Sequence, residues 1–204
     1  NKPKSLSDAD VERLLKEAVE FDSLEERDGL YYQTNESEPY SGWEKERYDS
    51  GQVKTLRPYK DGKSDGPVTA WHENGQKRCE GTFKDGKLDG LFTSWHENGQ
   101  KWEEIIYKDG EEDLSTLWHD NGQKMVEVTK KDGKRNGPAT SWHENGHKSY
   151  EGTYKDGKLD GHWTTWHDNG QKSAERVWKD DELISEKYWN SKGEEVKTLF
   201  QSLK

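Results

Sequence analysis

Of the chain's 204 residues only 27% are hydrophobic and 36% are charged, with a net charge of −10. So thin an apolar complement excludes a globule built around a large aliphatic core, and the acidic balance argues against nucleic acid as a bulk partner. Ten tryptophans and nine tyrosines work the other way, because large aromatics bury much area per residue and can hold a narrow sheet together.

The chain opens at Asn1 rather than at methionine, which reads as a processed N-terminus and leaves open the choice between a cytoplasmic and an exported protein. Residues 1–26 form an N-terminal segment with one convincing helix, expected over residues 7–21. Ser7 caps it with Asp10 three positions on, and Val11, Leu14, Leu15, Ala18 and Val19 make an amphipathic stripe. Its expected role is to shield the first edge of the repeat array.

From residue 27 to residue 195 the chain repeats. Glycine recurs after 23 or 24 residues at Gly51, Gly75, Gly99, Gly122, Gly146, Gly170 and Gly193, usually within Trp-His-(Glu/Asp)-Asn-Gly. Each unit carries two turn signals, Glu-Asn-Gly and Lys-Asp-Gly, separated by strand-like stretches such as Leu91 to Trp95 and Lys101 to Tyr107. Each repeat is therefore a hairpin that buries its apolar side against its neighbours. The fold class is all-β: an elongated antiparallel sheet of hairpin repeats with a short N-terminal capping helix, rising about 9.6 Å per repeat.

A three-residue Glu73-Asn74-Gly75 loop, with glycine left-handed, sets the expected register. It places Trp71, Cys79 and Phe83 on one face, and likewise Trp95 with Tyr107 and Trp142 with Tyr150. The structural ladder is then Trp71, Trp95, Trp118, Trp142, Trp166 and Trp189, with Thr69, Thr93, Thr116, Thr140 and Thr164 beside it. Residues 196–204 complete the chain as a C-terminal tail or cap.

The polar residues carry no catalytic signature: there is no nucleophile elbow, phosphate-binding glycine loop or His-Glu-x-x-His sequence. Catalysis needs an asymmetric set of groups, whereas the polar residues here are copied in every repeat. His72, His96, His119, His143 and His167 stand about 9.6 Å apart by the repeat rise, too far for one ion to bridge, so they read as surface histidines beside tryptophan, paired with the neighbouring carboxylate. No metal and no cofactor is expected. Cys79 is the only cysteine; it excludes an intramolecular disulfide and reads as filling space. The lysine rows beginning at Lys77 and Lys84 are shadowed by the glutamate row beginning at Glu80, which points to solvated ladders rather than a lipid-binding face.

The phrase from Glu80 to Lys101, Glu-Gly-Thr-Phe-Lys-Asp-Gly-Lys-Leu-Asp-Gly continuing to Trp-His-Glu-Asn-Gly-Gln-Lys, returns at Glu151 to Lys172. It resembles the bacterial variant of the membrane occupation and recognition nexus (MORN) repeat, over about residues 29–195. The resemblance implies an antiparallel sheet of hairpins in a bacterial protein. Many such proteins carry an antitoxin label, and eukaryotic relatives are associated with membranes, lipids and protein scaffolding. This chain departs from the pattern in mid-array. Glu111-Glu112-Asp113 stands where other repeats have a lysine-containing Asp-Gly turn, and Lys130 occupies the position of Phe83, Tyr107 and Tyr154. Glu111, Glu112, Asp113, Lys130 and Lys131 are thus the candidate partner-binding patch.

The expected function is a non-enzymatic, monomeric scaffold that binds a protein, with neutralisation of a toxin as one form. The alternatives are a cell-envelope or glycan-binding module using the aromatic ladder, and a lipid-surface scaffold.

Overall fold

The computed structural model describes residues 6–198, so the tail expected over 196–204 lies largely outside the described residues. The helix is Asp8–Glu17, opened by a capping box in which the Ser7 hydroxyl accepts from the Asp10 amide and the Asp10 carboxylate accepts from the Ser7 backbone. It ends four residues before the expected end at residue 21. Lys45 Nζ donates to the Leu15 carbonyl at 2.9 Å, satisfying a last-turn acceptor. Ala18 is already extended, and Val19–Glu20 pairs in parallel with Glu44 and Lys45. The chain thus leaves the helix to cover the first sheet edge. Leu14 and Ala18 pack on Leu56, joined by Val11, Leu15, Trp43 and Trp71.

The chain divides into two compact units, Asn1–Gly110 and Glu111–Lys204. In the first, strand Gly42–Arg47 is followed by Val53–Lys60, Gly66–Trp71, Lys77–Lys84, Gly90–Trp95 and Lys101–Lys108, each antiparallel to the one before. A small hairpin, Leu24–Arg27 with Leu30–Gln33, sits at the turn end: the Tyr31 amide donates to Gly62 O, and the Tyr31 ring lies 5.0 Å from that of Tyr59. The second unit runs in the same antiparallel manner through Glu111–Trp118, Lys124–Lys131, Lys134–Trp142, Lys148–Lys155, Gly161–Trp166, Lys172–Lys179, Glu182–Trp189 and Glu195–Val196. This is the all-β antiparallel hairpin architecture with a single N-terminal helix.

Two kinds of turn join the strands. At Asp-Gly the two central residues both have positive φ, as in Asp85 (49°) and Gly86 (82°), which is the primed two-residue turn that suits strand twist. At Asn-Gly the loop has three residues: His72 N–H donates to Gln76 O, and Gly75, at φ 84°, donates back to His72 O.

The difference between 23 and 24 residues per repeat also has a structural cause. Glu80 faces Thr93 while Phe83 faces Leu88, so two residues on the return strand are left over as a bulge, and the same holds between Glu151↔Thr164 and Tyr154↔Leu159. In the last repeat Val177 faces Ser185 and Trp178 faces Leu183, leaving one residue over. The 23-residue spacing from Gly170 to Gly193 is the shorter bulge.

The expected single aromatic face is corrected by another bulge. The register shifts immediately before each repeat tryptophan: Ala70 faces Cys79 and Gly66 faces Phe83, but Trp71 faces Lys77. Pleat alternation then puts Cys79 and Phe83 with Val68 and Ala70, and puts Trp71 on the opposite face with Thr69. The same shift precedes Trp95, Trp118, Trp142 and Trp166. In each unit one face carries the tryptophan and threonine ladder, with Thr69 and Thr93 buried in the first and Thr116 in the second. The other face of the second unit carries Tyr150, Tyr154 and Trp163, where Trp163 stacks on Tyr150 at 5.0 Å and meets Tyr154 edge to face at 5.5 Å.

Candidate partner-binding surface

The residues repeated most faithfully hold the hairpins to one another. In four repeats the histidine after the tryptophan bonds through Nε2 to the carbonyl of the next repeat's tryptophan: His72 to Trp95 (2.8 Å), His119 to Trp142 (2.9 Å), His143 to Trp166 (3.1 Å) and His167 to Trp189 (3.0 Å). A carbonyl only accepts, so Nε2 carries the proton. Tyr48, which stands in the histidine's place at the start of the array, makes the same bond from its hydroxyl to Trp71 O at 2.8 Å. These half-buried side chains are therefore not surface groups paired with a neighbouring carboxylate.

The asparagines act alongside them. Asn74 Oδ1 accepts from the Gln76 amide at 2.9 Å, and its Nδ2 donates to Glu97 O in the next turn at 2.8 Å. Asn121, Asn145 and Asn169 repeat the arrangement on Glu144 O, Asp168 O and Ser191 O. Each bond contributes a net of about 0.5–1.5 kcal/mol. The repetition of His and Asn in the sequence was the available signal; a hairpin considered alone has no place for these bonds.

Trp71, Trp95, Trp118, Trp142, Trp166 and Trp189 are half-buried. Lys124, Lys148 and Lys172 place their ammonium groups 5.6, 5.7 and 5.1 Å from the ring centroids of Trp142, Trp166 and Trp189. The same lysines pair with Glu127, Glu151 and Glu175, and Lys77 and Lys101 pair with Glu80 and Glu104. Trp142, Trp166 and Trp189 are thus roofed by paired lysines, whereas Trp102 and Ile106 are exposed on the corresponding face of the first unit. Among the described residues no group of three His, Cys, Asp or Glu side chains comes together. Burial raises the Cys79 thiol pKa, which keeps it protonated.

The candidate patch separates into distinct parts. Asp109 (φ 52°) and Gly110 (φ 87°) still make the ordinary turn. Glu111, Glu112 and Asp113 come after it on the outgoing strand Glu111–Trp118, in the places of Lys87, Leu88 and Asp89, rather than replacing the turn itself. Lys130 Nζ forms an ion pair with the Glu112 carboxylate, so these two departures from the repeat compensate each other. Glu111, Asp113 and Lys131 are exposed.

The MORN repeat variant family matches four segments, residues 64–85, 88–109, 135–156 and 159–180. Each segment is one strand, an Asn-Gly turn and the returning strand. These are MORN repeats. The interval between the second and third matches holds Glu111 to Lys131, the unit that departs most from the pattern. MORN repeats serve as binding or scaffold modules. No curated protein matches the chain significantly. Among solved structures, a mutant of TarM from S. aureus, crystallised with fondaparinux, alpha-GlcNAc-glycerol and UDP, aligns at 12% identity over 67% of this chain and 24% of that one, with a TM-score of 0.32. The chain spans less than a third of that protein's length, and the likeness is too distant to argue from. No described helix is long and apolar enough to cross a membrane.

Proposed function

We propose that this MORN-repeat chain is a non-enzymatic module that binds a protein partner through the irregular surface of residues 111–131. One observation carries the reading: the histidine, the asparagine and the lysine around the Asn-Gly turn, copied from repeat to repeat, are engaged with the neighbouring repeat or with each other, as the His72, Asn74 and Lys77 bonds illustrate. Selectivity then falls to the positions that break the pattern, Glu111, Glu112, Asp113, Lys130 and Lys131.

The test is a regularised variant, Glu111→Lys with Glu112→Leu and Lys130→Tyr, which restores the residues found in the other repeats. Crosslinking capture from cell extract should recover a defined protein with the wild-type chain and lose it with the variant. Equal recovery by both would move the contact elsewhere, and turnover abolished by substituting one histidine would overturn the non-enzymatic reading.

A further inference from the structure

The Asp-Gly turns of the second unit have a charge imbalance that those of the first do not. In the first unit Lys60, Lys63, Lys84 and Lys87 are matched by Asp61, Asp65, Asp85 and Asp89. Lysine faces lysine across the hairpin in both units, Lys60 with Lys63 and Lys84 with Lys87 in the first, Lys131 with Lys134 and Lys155 with Lys158 in the second, but the second adds Arg135 beside them. These five cations are accompanied in the turns by Asp132, Asp156 and Asp160. Asp160 is shared between Lys179, at 2.8 Å, and the field of Lys155, and Asn136 stands where Asp89 and Asp160 stand in other repeats.

Among the described residues none of Lys131, Lys134, Arg135, Lys155 or Lys158 has an ion-pair partner, whereas Lys124, Lys130, Lys148, Lys172 and Lys179 in the same unit all do. Like charges directly across a hairpin are unfavourable, and in the second unit Arg135 and the loss of an aspartate at Asn136 add to that repulsion instead of relieving it.

Arg135 is also held in place. It occupies the position of Leu88 and Leu159, its guanidinium lies 5.3 Å from the Tyr154 ring centroid, and Nη1 donates to the Tyr154 hydroxyl at 3.1 Å. Its carbonyl accepts from the Gly157 amide at 2.8 Å, which locks the two turns side by side. An immobilised guanidinium loses less freedom on meeting a carboxylate than a free one does. Turns one repeat apart stand about 9.6 Å from each other, close to the span of three residues of extended chain at about 3.3 Å each.

Building on the protein-binding reading, we infer that Lys131, Lys134, Arg135, Lys155 and Lys158 dock an extended acidic segment of the partner, with carboxylates spaced about three residues apart. The probe is a fluorescein-labelled decaglutamate peptide, followed by anisotropy at 50 and 150 mM salt. Arg135→Leu with Asn136→Asp restores residues that other repeats tolerate and should weaken binding roughly tenfold, the effect of two exposed charge changes. Lys84→Gln with Lys87→Gln, on the balanced edge of the first unit, should change it less than about twofold. Circular dichroism melting of both variants verifies their folds.

Equal affinity in all three proteins, no peptide binding at 50 mM salt, or binding to phosphatidylserine vesicles in place of the peptide would each overturn the inference. If the protein partner is still captured by Arg135→Leu/Asn136→Asp, the acidic-segment assignment falls while the protein-binding reading stands.

Discussion

Gly152→Ala tests the packing of the second unit most directly. Gly152 is buried and has no positive φ, so its turn-forming freedom is not what the position uses. The glycine supplies room. A Cβ there would overlap Trp163 Cε3 and stand 2.5 Å from Cδ2 and 2.7 Å from Cζ3, where carbon contacts settle at about 3.5–4.0 Å. The indole cannot simply retreat, because Tyr150 is stacked against it and Tyr154 meets it edge-on. Forcing a methyl into a packed site costs about 1–3 kcal/mol, and disturbing each of the two aromatic pairs adds about 0.5–1.5 kcal/mol; a loss of about 2–6 kcal/mol is expected.

Gly81→Ala is the graded control, since its Cβ meets Phe92 Cδ2 at 2.6 Å but the next atoms only at 3.5 Å, and should cost about 1–2 kcal/mol. Urea unfolding followed by far-UV circular dichroism, repeated in a Trp163→Ala background, measures the coupling. With the indole gone, Gly152→Ala should be close to neutral. Equal losses in both backgrounds would show that the glycine is needed for something other than the ring above it.

Further expectations concern the interrepeat bonds, the ladder and one buried carboxyl. Asn145→Ala removes both the intraturn acceptor and the donor to Asp168 O, and His143→Ala removes the bond to Trp166 O. Each should cost about 1–2 kcal/mol in urea titrations, and a change below about 0.3 kcal/mol in both would refute the stapling role. Trp142→Ala should destabilise by about 2–3 kcal/mol, less than a fully buried tryptophan because its ring is half-exposed beneath Lys124; a loss no larger than that of His143→Ala would contradict the ladder. Glu44 is 1% exposed, and burial raises its pKa from 4.5 to about 7 against the opposing pull of Arg57. Because the folded-state value is the higher one, its contribution is full below pH 4.5 and is lost as pH rises through 7, amounting to about 3 kcal/mol at most. Glu44→Gln should flatten the stability profile between pH 5 and 8 relative to wild type, with the largest difference at the alkaline end. A constant offset across that range would show that Glu44 does not titrate there.

The sequence alone determined what is local. Period, hairpins, both turn types and the Ser7 cap arise from residues within a few positions of one another, because a left-handed glycine or a capping hydroxyl acts on its own few bonds. The irregular unit around Glu111 and Lys130 was legible for the same reason, as a break in a repeated phrase. Which face each side chain occupies depended on a bulge before the tryptophan, and one residue of slip reverses every later assignment, so Trp71 and Phe83 parted company only in three dimensions. His72, Asn74, Gly152 and Arg135 likewise have meaning only against a strand or turn some ten or more residues away, whose carbonyl, indole or phenol they meet once the hairpins are stacked. Repetition marked the first two as important, but the physical reason was an acceptor supplied by the next repeat, and tertiary structure alone brings it within reach.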